Sequence, residues 1–204
     1  MSPEQISPLF IFLATAITAF AVENPVFEGA LGLERETMFM KSPMSGILLG
    51  VAFTWMTTIS SLFVTIINHL LVGMQYAWIA RPLLYLLGVS IVYVGTVQGL
   101  RRVKVLQIFS AGVEEMLPIA TFNTAMFGAF YNSVLQNFGF GQTAGYALGT
   151  GFGYTAAILI IYYARKRLAL SPIPRAFQGL PILLVYMGFI SLALYGIIGR
   201  ALPT

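Results

Sequence analysis

The chain has 204 residues, of which 58% are hydrophobic and only 9% charged, with a net charge of +4. Soluble domains carry about 25% charged residues, so this chain cannot cover a water-facing surface and reads as an integral membrane protein. Cysteine is absent, which excludes disulfides, thiol catalysis and any cluster held by this chain's own thiolates. The basic balance does not point to nucleic acid. The Lys and Arg residues are few and sit beside hydrophobic runs, where they act as topology signals.

A membrane-crossing helix needs about 20 mostly apolar residues. Taken in chain order, six spans are predicted, over residues 8–22, 45–72, 82–100, 105–131, 142–164 and 180–199, the fourth of them interrupted. Met1 to Gln5 carry no basic residue and no small-residue cleavage site follows, so the first run is predicted to be a retained helix and not a signal peptide. No segment alternates with the two-residue period of a barrel strand. Helices are then the remaining structure that satisfies its own backbone in lipid.

The first span ends in Glu23-Asn24-Pro25-Val26-Phe27-Glu28-Gly29-Ala30-Leu31-Gly32-Leu33-Glu34, and this stretch recurs 99 positions later. At that offset Asn24 meets Asn123, Gly29 meets Gly128 and Ala30 meets Ala129. The same ungapped register lays Gly46 over Gly145, Gly50 over Gly149 and Pro82 over Pro181. This is the signature of an internal duplication, with repeats over roughly 6–100 and 105–199 in one membrane domain spanning 1–204.

Three spans per repeat is an odd number, so the second repeat enters from the opposite face. The predicted fold is therefore an all-α integral membrane protein with six transmembrane helices in a 3+3 inverted-topology repeat. Of the basic residues, Arg35, Lys41, Arg101, Arg102, Lys104, Arg165, Lys166, Arg167 and Arg175 fall on one side and Arg81 and Arg200 on the other. That bias places the first side in the cytoplasm and both termini outside it. Inverted repeats often carry their working site near the midplane, where discontinuous helices meet. The helix breaks are expected near Asn24 and Asn123, with Gly29 and Gly128 in the turns that follow.

Asn caps a half-helix or presents an amide to a ligand, and the two roles are compatible. Gly145, Gly149 and Gly153 form small-xxx-small steps on one helix face, which points to close helix packing. The string Gly149–Gly153 has no strand before it and is not a nucleotide loop. Carboxylates at membrane depth often mark ion paths. Glu28 and Glu34 are the candidates here, in a cluster with Glu23 and Glu36, although Arg35 and Lys41 nearby fit a solvated turn equally well. Glu114 and Glu115 precede the second break and suit either a partner interface or a surface loop. His69 stands alone, so no metal site is expected, and a structural role is favoured. No Ser/His/Asp set, phosphate loop or paired-acid site is present.

These residues resemble a family. Asn24-Pro25-Val26 with Leu31-Gly32-Leu33, then Leu117-Pro118-Ile119-Ala120-Thr121-Phe122-Asn123-Thr124, then the run from Arg167 to Gly179 and Met187-Gly188-Phe189, are similar to the small membrane subunits of the Rnf complex (ferredoxin:NAD oxidoreductase) and the sodium-pumping NADH:quinone oxidoreductase. The A-type member of the former and the E-type member of the latter are the nearer match. The resemblance implies a place in a redox-driven, ion-translocating electron-transport complex of the prokaryotic inner membrane. It implies as partners a homologous inverted membrane subunit, together with flavin- and iron–sulfur-bearing subunits, with the lipid bilayer around them and no nucleic acid. In that family a cysteine follows the Leu-Gly-Leu and another follows the second Asn. With cysteines of the sister subunit they hold a 2Fe–2S cluster. Here those positions are Glu34 and Thr124, so no cofactor is expected from this chain and its role becomes scaffold or gate, as a non-catalytic subunit. The alternative is a stand-alone or dimeric cation or small-solute transporter on the same fold, with Glu28 and Glu34 beside Asn24 and Asn123 as cation ligands.

Overall fold

The computed structural model describes residues 7–32, 40, 42–73, 76–102 and 107–198. Among them the chain is helical and free of strands: α1 Pro8–Ile17 running into a π-helical turn Thr18–Val22, α2 Pro25–Gly29, α3 Pro43–Leu70, α4 Ala77–Arg102, α5 Gln107–Thr121, α6 Thr124–Leu135, α7 Phe140–Ala169 and α8 Leu180–Ile198. A single 3-10 turn, Arg175–Phe177, lies between α7 and α8. Among the described residues four segments are long and apolar enough to cross a membrane: Pro8–Gly29, Pro43–Leu70, Ala77–Arg102 and Phe140–Ala169. The predicted fourth span divides at Phe122–Asn123 into helices of 15 and 12 residues. The apolar stretch Leu180–Gly196 is shorter than the four. Glu34, Arg35, Glu36, Lys41, Lys104 and Arg200 lie outside the described residues.

Local chemistry sets several of these starts. Ser7-Pro8, Asn24-Pro25 and Ser42-Pro43 each put a capping side chain before a proline at the first helical position. Proline has no N–H to lose there, and its fixed φ suits the first turn. Ser42 and Ser45 close a reciprocal cap, each hydroxyl accepting the other's backbone N–H at 3.2 Å. Pro82 lies early in α4, which begins five residues before the predicted start.

The centre of the molecule is the α3–α7 pair, the most extensive interface in the fold. The contacts reverse along the two helices. Gly46 faces Ile158 and Leu159, Gly50 faces Thr155, Thr54 faces Gly151, and the Thr65 hydroxyl reaches Thr143 at 3.4 Å. The two helices are therefore antiparallel. At their crossing a glycine of each receives a threonine of the other, which brings the axes close. Phe53 and Tyr154 stack at 3.7 Å beside that crossing.

The Gly145-Gly149-Gly153 face of α7 takes the N-terminal helix. A Cβ on Gly149 would run into the Ala16 backbone, and one on Gly153 would meet the Phe20 carbonyl and the Asn24 amide. Leucines and aromatics cover the outer faces. Leu9, Phe10, Val51, Trp55, Leu83, Ile91, Phe152, Phe189 and Leu192 are all exposed. An apolar surface this large belongs in lipid.

Gly149→Ala is expected to lower stability by about 1–3 kcal/mol, because backbone cannot move aside as a side chain would. Gly95→Ala, where a Cβ meets nothing within 4 Å, is expected to leave stability unchanged or slightly raised. Thermal unfolding of the detergent-solubilised variants, read by size-exclusion fluorescence, separates the two.

Candidate functional site

Both predicted breaks are interruptions of helix, and an asparagine spans each. At the first, the π turn ends at Val22 and Asn24 leaves the helical region with φ −72 and ψ 115. Its Oδ1 accepts the Val26 N–H at 3.0 Å while its Nδ2 donates to the Phe20 carbonyl at 3.2 Å. One side chain thus ties the helix that stops to the helix that starts. At the second, Asn123 takes φ −110 and ψ 133, and its Oδ1 accepts the Ala125 N–H at 2.7 Å. Its Nδ2 donates to the Tyr154 hydroxyl at 2.7 Å. Both asparagines are buried.

The two breaks touch. After α2 the chain turns through Ala30 at φ 50 and Gly32 at φ 79, both left-handed. The Gly32 N–H donates to Thr124 Oγ1 at 2.9 Å. A Cβ on Gly32 would lie 2.7 Å from Asn123 Oδ1 and 3.1 Å from the Tyr154 ring, so only glycine passes here. Gly128 completes the contact, since a Cβ there would sit 2.9 Å from Leu31 Cδ1. Gly29 is tight only against the Leu31 side chain of its own turn. Four of the residues singled out in the sequence, Asn123, Thr124, Gly128 and Asn24, thus sit at or next to one junction built around Tyr154.

The acids divide. Glu23 accepts from Asn132 Nδ2 at 2.9 Å and from Gln136 Nε2 at 3.1 Å. Asn132 Nδ2 also donates to the Tyr146 hydroxyl at 2.6 Å. Glu23 and the exposed Glu28 line one open groove of about 420 Å³, with Gly128, Asn132, Gln136 and Tyr146 on its other wall. Glu34, the other predicted ion-path acid, falls outside the described residues. Glu114 pairs with Arg101 at 3.4 Å across α4 and α5, and Glu115 is exposed on α5. His69 Nδ1 lies 2.8 Å from the Thr65 carbonyl, and its ring stacks on Phe140 at 5.7 Å, a structural placement.

Two features go beyond what the sequence predicts. The first is a set of buried hydroxyls on α3 and α7. Thr57, Ser60, Ser61 and Thr150 are buried, and their hydroxyls make no hydrogen bond among the described residues. Their signal in the sequence is Thr54, Thr57, Ser60, Ser61 and Thr65 at three- and four-residue spacing along an apolar span. The second is the Glu23 network, whose partners come from more than 100 residues away and leave no local pattern.

Comparison with known proteins gives a consistent answer. The family described as Rnf-Nqr subunit, membrane protein, matches residues 12–200. The chain is 31% identical to the A component of the ion-translocating oxidoreductase complex of Azoarcus sp. (strain BH72), over 94% of this chain and 96% of that one. It is 30% identical to the component of the same name from Cronobacter sakazakii, again over 94% and 96%. The corresponding protein of Aromatoleum aromaticum is 29% identical over 93% and 95%.

Thr124→Val keeps the shape but removes the acceptor of the Gly32 N–H, and is expected to cost about 1–3 kcal/mol. Thr124→Ser retains the hydroxyl and is expected to stay near the parent stability. Equal losses in both variants, in the same unfolding assay, would show that the bond across the breaks contributes nothing.

Proposed function

The chain belongs to the Rnf-Nqr family of membrane subunits, and on that premise we propose that it is the A-type membrane component of a redox-driven, ion-translocating oxidoreductase complex, where it acts as scaffold or gate. The observation that carries this is the match along nearly the whole chain to components of that name. The proposed partners are an inverted homologous membrane subunit, together with flavin- and iron–sulfur-bearing subunits.

The proposed topology is six spans as a 3+3 inverted repeat in the prokaryotic inner membrane, with both termini outside the cytoplasm. Element bounds support it. Pro8–Val22 and Gln107–Thr121 are offset by 99 residues at both ends, as are the last residues of α3 and α7, Leu70 and Ala169. The helices α3 and α7 occupy corresponding places in the repeats and run antiparallel, as inversion requires. Antiparallel packing also brings the Arg101–Arg102 end of α4 and the Lys166–Arg167 end of α7 to one side, in line with the positive-inside bias.

The residues at the family's two cysteine positions do not suit a cluster. Iron–sulfur clusters of the four-cysteine kind need thiolates. Thr124 offers a neutral hydroxyl that already accepts the Gly32 N–H at 2.9 Å. We therefore assign no electron-transfer step to a cluster ligand of this chain. What its own residues do is hold two helix breaks against each other and present Glu23 and Glu28 to an open groove. Glu28, with Glu34 from the adjoining segment, is the proposed ion-path carboxylate, because a charged oxygen in a largely apolar protein is costly unless it serves a charge.

Purification under mild detergent without oxygen tests the reading. Redox subunits are expected to co-purify, and iron per complex is expected to be unchanged by Thr124→Ala. Isolation of this chain alone at native expression would overturn the complex. A drop in iron with Thr124→Ala would overturn the ligand-free assignment. Because the chain has no cysteine, single-cysteine labelling is free of background. Leu170→Cys is expected to react from the cytoplasm and Tyr76→Cys from outside, and the reverse pattern would refute the orientation.

A further inference from the structure

A second groove, of about 660 Å³, opens beside α4 and reaches the junction of the two breaks. Its walls are apolar, formed by Trp78, Leu86, Phe127, Tyr131 and Leu135, with Leu31 and Thr124 at the inner end. Arg81 is the one basic residue that lines it. The Arg81 Nε is buried and makes no hydrogen bond among the described residues. Tyr85 lines the groove beside it, but its hydroxyl donates to Asn68 Oδ1 at 3.1 Å and does not accept from the Arg81 Nε. The described ion pair of this chain, Arg101–Glu114, lies elsewhere. A guanidinium stays charged at any ordinary pH. Burying part of one without an acceptor is costly, so the groove calls for an anion.

The surroundings say what carries that anion. Trp78 is 71% exposed and Tyr131 58%, flanking the groove where an aromatic belt meets headgroups. Leu86, on the groove wall, continues into the exposed Leu83, Leu87 and Ile91 of the same helix. The apolar wall is therefore continuous with the face the helix turns to lipid. We propose that this groove binds an anionic phospholipid, its phosphate on the Arg81 guanidinium and one acyl chain along Phe127, Tyr131 and Leu135. Such a lipid would abut Thr124 and so brace the junction of the breaks. The inference rests on the chain being a membrane protein and is independent of the redox role.

The test uses the purified complex in detergent, exchanged against equal amounts of phosphatidylglycerol and phosphatidylcholine with the same acyl chains and read by native mass spectrometry. The parent protein is expected to retain phosphatidylglycerol over phosphatidylcholine by about tenfold, because both present a phosphate but the choline cation of the second opposes the Arg81 guanidinium. Arg81→Gln is expected to bring the two to parity, and Arg81→Lys to keep part of the preference. Leu135→Trp, at an exposed position of the groove wall, is expected to fill the groove and remove both lipids. It stands as the test if the Arg81 variants do not fold. Equal retention of the two lipids by the parent, or an undiminished preference in Arg81→Gln or Leu135→Trp, would overturn the proposal. So would loss of the preference in millimolar inorganic phosphate, which would make the ligand a free anion. A photocrosslinker at position 135 that attaches to a neighbouring protein chain, and not to lipid, would do the same.

Discussion

A helix that stops inside an apolar medium leaves N–H and C=O groups that water cannot reach. The architecture depends on how that constraint is met twice. Asn24 meets it alone, accepting the N–H of the helix that begins and donating to a carbonyl of the helix that ends. Asn123 caps its helix in the same way but gives its amide hydrogen to Tyr154. That difference ties the second break to α7, and through the Phe53–Tyr154 stack to α3. The breaks become fixed points of the core and not loose turns.

The rest of the packing serves those points. In lipid there is little hydrophobic drive between helices, so close approach and polar contacts carry association. Reciprocal glycine–threonine contacts at Gly50–Thr155 and Thr54–Gly151 bring α3 and α7 together, and the glycine face of α7 admits the N-terminal helix down to Asn24. Several threonines in this interface return their hydroxyls to the carbonyl four residues back: Thr54 to Gly50, Thr65 to Ser61 and Thr155 to Gly151. The hydroxyls of Thr57, Ser60, Ser61 and Thr150 do not, and are buried without a hydrogen bond among the described residues.

The Thr124 hydroxyl accepts the Gly32 N–H, a contact that joins the two helix breaks. A junction held by a few hydrogen bonds between short helices is a suitable element for gating, because small shifts there change which backbone groups are satisfied. The carboxylate groove on one side of Gly128 and the arginine groove on the other both border that junction.

Much of this was legible in the residues themselves. Composition alone required a membrane protein, because 9% charged residues cannot solvate a surface. Length and apolar runs placed α1, α3, α4, α7 and α8 to within a few residues, and Asn-Pro and Ser-Pro pairs marked starts through proline's fixed φ. The 99-residue register located both breaks, since capping is a local property of Asn. The tertiary structure decided what local chemistry cannot carry. That Gly32 meets Thr124, that Tyr154 closes on Asn123, and that Asn132 and Gln136 hold Glu23 all depend on segments between 31 and 113 residues apart. Such contacts are set by which helices lie side by side, and the hydrophobic pattern specifies only that each helix has neighbours.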